Sequence, residues 1–188
     1  MQNIYKQVIS LFIKMARIRK FVAYRKLERP YTRISKFKKK SFVKSTPHRV
    51  TVRFDMGTRK KKFQYSLDLV SKADLQIRHN ALESARMTCN RLLEGQAGKN
   101  SYFLRIHVFP HHILRENPLA AGAGADRFST GMSHSFGKPI SSAARVRKGQ
   151  ILFHLDINKQ FLDLAKLALK RAAKKLPCSC LIKVSERK

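Results

Sequence analysis

Apolar and polar residues alternate from His48 to Asp55, which predicts a strand with Val50, Val52 and Phe54 on one face and Arg49, Thr51 and Arg53 on the other. Met56 to Lys62 reads as a basic turn and Phe63 to Val70 as a second strand. Ser71-Lys-Ala-Asp74 has the form of a capping box, so a helix is expected to begin at Asp74. From there to Glu94, Leu75, Leu82, Ala85, Cys89 and Leu92 recur at helical spacing, with Arg78, Arg86 and Arg91 off the stripe. Gly95 and Gly98 are placed to stop that helix. Tyr102 to Phe109 predicts a further strand, which Pro110 interrupts and His111 to Arg115 resume.

Further along, Ser142–Arg147 and Gln150–Ile157 read as a hairpin around Lys148-Gly149. Lys159 to Lys175 predicts a second helix that buries Phe161, Leu164, Ala165, Ala168 and Ala172, with Lys166, Lys170 and Lys174 on its opposite face. Leu181 to Val184 supplies a closing strand. Residues 47–188 therefore form one α+β domain, with a mixed or antiparallel sheet and two helices.

Two stretches carry neither period. Residues 117–138 hold Gly122, Gly124, Gly131 and Gly137, are followed by Pro139, and include Phe128 and Met132. A loop of this length inside a compact domain is usually functional, and its glycines permit close approach to a partner. Residues 15–46 form a basic arm: Arg17, Arg19, Lys20, Arg25, Lys26, Arg29, Arg33, Lys36, Lys38, Lys39, Lys40 and Lys44 stand against the single acid Glu28. Phe21, Tyr24, Tyr31, Phe37 and Phe42 are interleaved with these charges. Residues 1–14 differ in character from the arm, and Met15-Ala-Arg17 reads as a second start, so they are expected to be an extension upstream of it.

Charge gives the pattern a partner. The chain has 188 residues, with 41 Lys and Arg against 11 Asp and Glu, and a formal net charge of +30. Such an excess is self-repelling until a polyanion neutralises it, which points to nucleic acid. In the arm, and in the turn holding Arg59, Lys60 and Lys61, cations suit phosphates, while rings such as Tyr31 suit unpaired bases. No apolar run is long enough to span a bilayer, and a membrane is not the expected partner.

Catalytic and metal chemistry fare worse. Cys89, Cys178 and Cys180 are an odd number, so they give no disulfide framework, and they fall short of a zinc ligand set. Cys89 belongs to the helical core stripe. His107, His111 and His112 lie along a strand and lack convergent carboxylates, which disfavours a metal-dependent nuclease using Asp126. Gly122-Ala-Gly-Ala-Asp126 lacks the complete phosphate-loop patterns. No cofactor and no metal are expected, and an enzyme is the minority class. The alternatives are a DNA-architectural protein or that nuclease.

Several blocks occur in one order: Arg29-Pro-Tyr-Thr-Arg33, Phe54-Asp-Met-Gly57, Gln76-Ile-Arg-His-Asn-Ala-Leu-Glu-Ser-Ala-Arg86, Gly124-Ala-Asp-Arg-Phe-Ser-Thr-Gly-Met132, Phe136-Gly-Lys-Pro139, Ala144-Arg-Val146 and Gly149-Gln150. Together they resemble the large-subunit ribosomal proteins called L-sixteen in bacteria and L-ten-e in archaea and eukaryotes, in an archaeal-type wording. The resemblance covers roughly residues 15–184. It implies an α/β-hammerhead-like domain and a structural place in the cytoplasmic ribosome. It also implies binding to large-subunit rRNA near the peptidyl transferase centre, to A-site and P-site tRNA, to neighbouring ribosomal proteins and to assembly factors. Carried onto this chain, the tRNA-side loop comprises Gly124, Asp126, Arg127, Thr130, Gly131, Met132, Phe136, Gly137 and Lys138. Arg127 and Lys138 would anchor it. The chain departs from the family pattern in the lysine-rich stretch after Arg33 and at Leu176-Pro-Cys-Ser-Cys180.

Overall fold

The computed structural model describes residues 18–32, 35–40, 43, 46–117 and 136–187. The proposed start at Met15 and most of the glycine-rich loop lie outside them. Eight strands form two antiparallel sheets. The larger has the order β1-β4-β7-β2-β8, from Asp55–Gly57, Tyr102–Ile106, Ile151–Ile157, Tyr65–Ser71 and Cys180–Glu186. The smaller has the order β3-β6-β5, from Leu75–Arg78, Lys138–Val146 and His112–Glu116. Helix α1 is His79–Gln96 and helix α2 is Leu162–Ala173.

Both helices pack on each other, α2 against β2, β7 and β8, and α1 against β3, β4 and β6. One continuous core joins them. Leu67, Leu69, Leu104, Phe153 and Leu155 come from the larger sheet, Leu75, Ile77, Ala144 and Val146 from the smaller, and Leu82, Ala85, Cys89, Ala165, Ala168 and Leu169 from the helices. The alanines of α2 let it lie close to the sheet while each still removes apolar surface from water.

The α+β class and the two helices agree with the sequence pattern, but four local expectations fail. The first concerns the helix start. Leu75, Gln76, Ile77 and Arg78 form strand β3, and α1 begins only at His79. The supposed capping box is a turn in which the Ser71 hydroxyl donates to the Ala73 carbonyl, while Asp74 Oδ1 accepts the Lys148 amide. Leu75 and Ile77 are buried and Gln76 is too, because both faces of β3 are covered. An alternation of only four residues running straight into a helix is easily absorbed into the helical stripe.

The second is the strand at His48–Asp55: only Asp55 of it lies in a strand, β1 at Asp55–Gly57, which takes Met56 and Gly57 from the expected turn. Before it, the Val50 amide donates to His79 Nδ1 at 3.2 Å and the Thr51 hydroxyl donates to the His79 carbonyl at 3.0 Å. These two bonds to the first residue of α1 turn Thr51 inward and leave Val52 75% exposed. The third is the hairpin: β6 and β7 join different sheets. The turn between them docks on the end of β2, through Ser71 N to the Gln150 carbonyl and Gly149 N to the Ser71 carbonyl. The fourth is Gly95, which lies inside α1, so that only Gly98, at φ +80°, marks the stop.

Gly57 and Gly149 have nearly the same φ, +82°. A Cβ at Gly57 would meet the Tyr102 carbonyl oxygen at 2.1 Å, whereas one at Gly149 meets nothing within 4 Å. Gly149→Ala is expected to cost only the backbone term, about 1 kcal/mol, and Gly57→Ala about 3 kcal/mol or more. Equal losses in denaturant unfolding would refute this division.

Candidate nucleic-acid interface

The two expected binding segments converge on the smaller sheet. Strand β3 alternates, with Leu75 and Ile77 in the main core while Gln76 and Arg78 face the arm. Gln76 Nε2 donates to the Lys26 carbonyl at 2.5 Å, its amide donates to the Arg25 carbonyl, and Arg78 donates to the Arg19 carbonyl. A second, small apolar cluster lies on this face. Tyr24 of the arm packs with Leu114 of β5 and Ala143 of β6, and Ile18 closes over them.

The arm is also tied to the loop stem. Strands β5 and β6 pair from His112–Ala143 out to Glu116–Lys138, and the glycine-rich loop joins their ends. The Glu116 carboxylate accepts the Tyr24 hydroxyl at 2.7 Å and pairs with Arg19. Burial, reinforced by Glu116, pushes the Tyr24 phenol up to about 12, so it remains a hydrogen-bond donor. One strand residue away, the Arg115 guanidinium lies 3.9 Å from the centre of the Tyr31 ring. It also lies 6.0 Å from that of Phe136, which is 80% exposed. The Tyr31 amide donates to His112 Nδ1 and its carbonyl accepts the Ile113 amide.

Gly137 has φ +83°, and a Cβ there would sit 2.7 Å from the Glu116 carbonyl carbon. Its close approach is therefore to the opposite strand of the stem. That contact fixes the backbone beneath Phe136 and Lys138.

The remaining sequence-picked residues distribute as follows. Lys20, Arg25, Lys26 and Arg29 are exposed along the arm, with the Arg25 guanidinium 5.8 Å from the Phe21 ring. Lys39 and Lys40 are exposed in a 3-10 turn that also includes Lys38. Arg59, Lys60 and Lys61 are exposed between β1 and β2, so they hang from the larger sheet rather than joining the arm. Arg17, Arg33, Gly124, Asp126, Arg127, Thr130, Gly131 and Met132 lie outside the described residues.

Sequence reasoning missed the residues that position the arm: Tyr24, Gln76, His112, Arg115 and Glu116. A polar glutamine between two core residues was the available signal. It also missed a groove of about 740 Å³ along α1, lined among others by Arg53, Arg86, Met87, Arg91 and Lys175.

Electrostatically, the acids belong to the fold. Nine of the ten Asp and Glu among the described residues have an internal partner: Asp55 with Arg105, Asp68 and Asp156 with His154, Asp74 with the Lys148 amide, Glu83 with Arg86, Glu94 with Lys99, Glu116 with Arg19, Asp163 with Lys166 and Glu186 with Tyr65, while Glu28 stands 3.8 Å from His112 Nε2. The excess of cations is left to face solvent and can neutralise phosphates. Among the described residues no three His, Cys, Asp or Glu side chains gather as a metal site. None of the described helices is long and apolar enough to cross a membrane.

Residues 28–183 match the family model described as ribosomal protein L16p/L10e. The large ribosomal subunit protein uL16 of Methanococcus maripaludis is 45% identical over 166 residues, covering 88% of this chain and 92% of its own. The uL16 protein of Archaeoglobus fulgidus is 43% identical, over 87% of this chain and 90% of its own. That of Staphylothermus marinus is 45% identical, over 79% and 82%.

His112 gives the arm's docking a pH dependence. Burial, the largest cause, holds it below the ordinary histidine value, Glu28 opposes, and Arg145 and Arg115 push it further down. Neutral, it accepts the Tyr31 amide; protonated, it cannot. A lowered folded-state value means stability that is present above about pH 6.5 and lost as pH falls through the folded value. His79 and His107 shift the same way, while His154, held by Asp156 and Asp68, shifts oppositely. His112→Asn retains an acceptor without the titration, so it should flatten the fall in melting temperature below about pH 6.5. An unchanged profile would show that His112 is not part of that fall.

Proposed function

We propose a function from one premise: the chain belongs to the ribosomal protein L16p/L10e family. As such it is a structural constituent of the large ribosomal subunit rather than an enzyme, and it associates with rRNA and other ribosomal proteins. Within that place, residues 15–46 act as an rRNA-binding arm. Lys20, Arg25, Lys26 and Arg29, together with Arg17, Arg33, Lys38, Lys39 and Lys40, neutralise backbone phosphates, and Arg59, Lys60 and Lys61 do the same from the larger sheet. The loop from Asn117 to Lys138 serves the side facing tRNA and the peptidyl transferase centre, and bears on late subunit assembly. Its work is done in the cytoplasmic ribosome.

The observation that carries this reading is the commitment of the described acids to internal partners, in a chain of net charge +30. The free surface is then cationic, as an RNA-bound protein requires. The attachment of arm and loop stem to one small sheet supports the pairing of the two roles. A base stacked on Phe136 would extend the series Tyr31–Arg115–Phe136, and base–aromatic stacking is worth about 1–3 kcal/mol. A DNA-compacting protein has no use for such a ring beside a long loop.

Excision must spare the stem, since Glu116 pairs with Lys138 and Gly137 packs on Glu116. Joining Asn117 directly to Phe136 shortens the connection between Glu116 and Lys138 about sevenfold, and the lower closure entropy is expected to raise stability by about 2 kcal/mol. The shortened chain should still bind large-subunit rRNA, and subunits carrying it should be slow to accommodate A-site tRNA. Since the chain has no tryptophan, Phe136→Trp offers a direct probe: its fluorescence should be quenched by single-stranded RNA more than by duplex. Loss of folding on excision, or equal affinity for duplex DNA and structured rRNA, would overturn the reading.

A further inference from the structure

The family role leaves Cys178 and Cys180 without a task. Cys180 opens β8, where it pairs with Ser71 of β2, and Cys178 lies just before it, after Pro177. Their sulfurs are 3.6 Å apart, and the Cys180 thiol lies 3.6 Å from the Cys178 carbonyl. Both are only half-buried, unlike Cys89, which is fully enclosed in the core. Two thiols in van der Waals contact at the entry to an edge strand need only a small closure to reach the bond length of about 2.05 Å.

We propose that Cys178 and Cys180 are a peroxide-reactive dithiol, with Cys178 the attacking sulfur and Cys180 the resolving one. Geometry assigns the roles: the Cys180 thiol has the Cys178 carbonyl as an acceptor for its proton at 3.6 Å, which leaves Cys178 as the sulfur free to attack. The hydrogen bond from Cys180 brings the Cys178 thiol down to about 7, against the effect of burial, with a smaller contribution from Ser71. The same contact, with burial, pushes Cys180 well above the usual thiol value. Cys178 is therefore the first of the two to give up its proton, while Cys180 keeps its own.

In the first step the Cys178 sulfur attacks one peroxide oxygen. The O–O bond breaks, the departing hydroxide takes up a proton to become water, and Cys178 is left as a sulfenic acid. The Cys180 sulfur then attacks the Cys178 sulfur. The S–O bond breaks, and hydroxide leaves with the Cys180 proton as a second water. Two thiols have lost two electrons and two protons to one peroxide. A disulfide spanning one residue closes a small ring, so it should be readily reversed by a thiol reductant.

The test uses the full chain and hydrogen peroxide. Intact-mass analysis should show loss of two hydrogens in the monomer, reversed by a dithiol reductant, with Cys89 still unmodified. Cys180→Ser should stop at a sulfenic acid that a carbon-nucleophile probe captures, and Cys178→Ser should give neither product. Before oxidation, iodoacetamide at pH 7 should alkylate Cys178 roughly fivefold to tenfold faster than an ordinary exposed thiol, the gain in thiolate outweighing its lower nucleophilicity. The proposal fails if peroxide leaves both thiols free, if the only disulfide joins two chains, or if Cys178→Ser oxidises like the unaltered chain.

Discussion

The structure depends on a small sheet being covered on both sides. Strands β3, β6 and β5 contribute few residues, and such a sheet has little stability without packing. Leu75, Ile77, Ala144 and Val146 bury one face in the main core. Leu114, Ala143 and Gln76 bury the other beneath the arm. Remove the arm and Gln76 loses the carbonyls it serves, while Leu114 meets water. Remove the main core and the sheet has no support. The basic N-terminal segment is thus part of the fold as well as a binding device, and the loop stem inherits its rigidity from the same sheet.

Charge follows a similar division. A net charge of +30 opposes compaction. Placing the described acids against specific internal partners lowers that cost where the chain is densest. His154, between Asp68 and Asp156, is the most concentrated case. Arg187 reaches Asp156 and His154 from the C-terminal end of the last strand and holds it to the sheet. Cations at the arm, at the turn of Arg59–Lys61 and, on α2, Lys170 and Arg171 remain outward.

How much of this the sequence shows depends on how many faces each element exposes. Helix α2 is one-sided, and its buried Ala165, Ala168 and Ala172 follow the expected stripe. The last strand and the burial of Cys89 were equally legible. Strand β3 was not, because its alternation spans only the four residues Leu75–Arg78 and runs straight into α1, too short a stretch to separate from the helical stripe. The hairpin at Lys148-Gly149 misled for a different reason. Turn chemistry fixes a reversal but does not say whether the two strands stay in one sheet. The site shows the same limit: the arm's cations are visible as composition, whereas Tyr24 and Glu116, 92 residues apart, meet only in the folded chain.

That meeting separates holding from binding. Arg19 and Tyr24 both reach Glu116, but the Arg19 side chain is 60% exposed, and an ion pair in that setting adds little stability. Tyr24 is buried, and its hydroxyl makes the hydrogen bond that water cannot easily replace. A phosphate arriving at the arm can therefore take Arg19 without releasing the stem, because Tyr24 keeps Glu116 satisfied. Arg115 stands in the same relation to its neighbours, since Tyr31 is fixed by His112 and Ile113 independently of the guanidinium stacked on it. The stem can exchange internal cation contacts for external anions while its backbone stays in register. A loop that must present one geometry to RNA requires that combination.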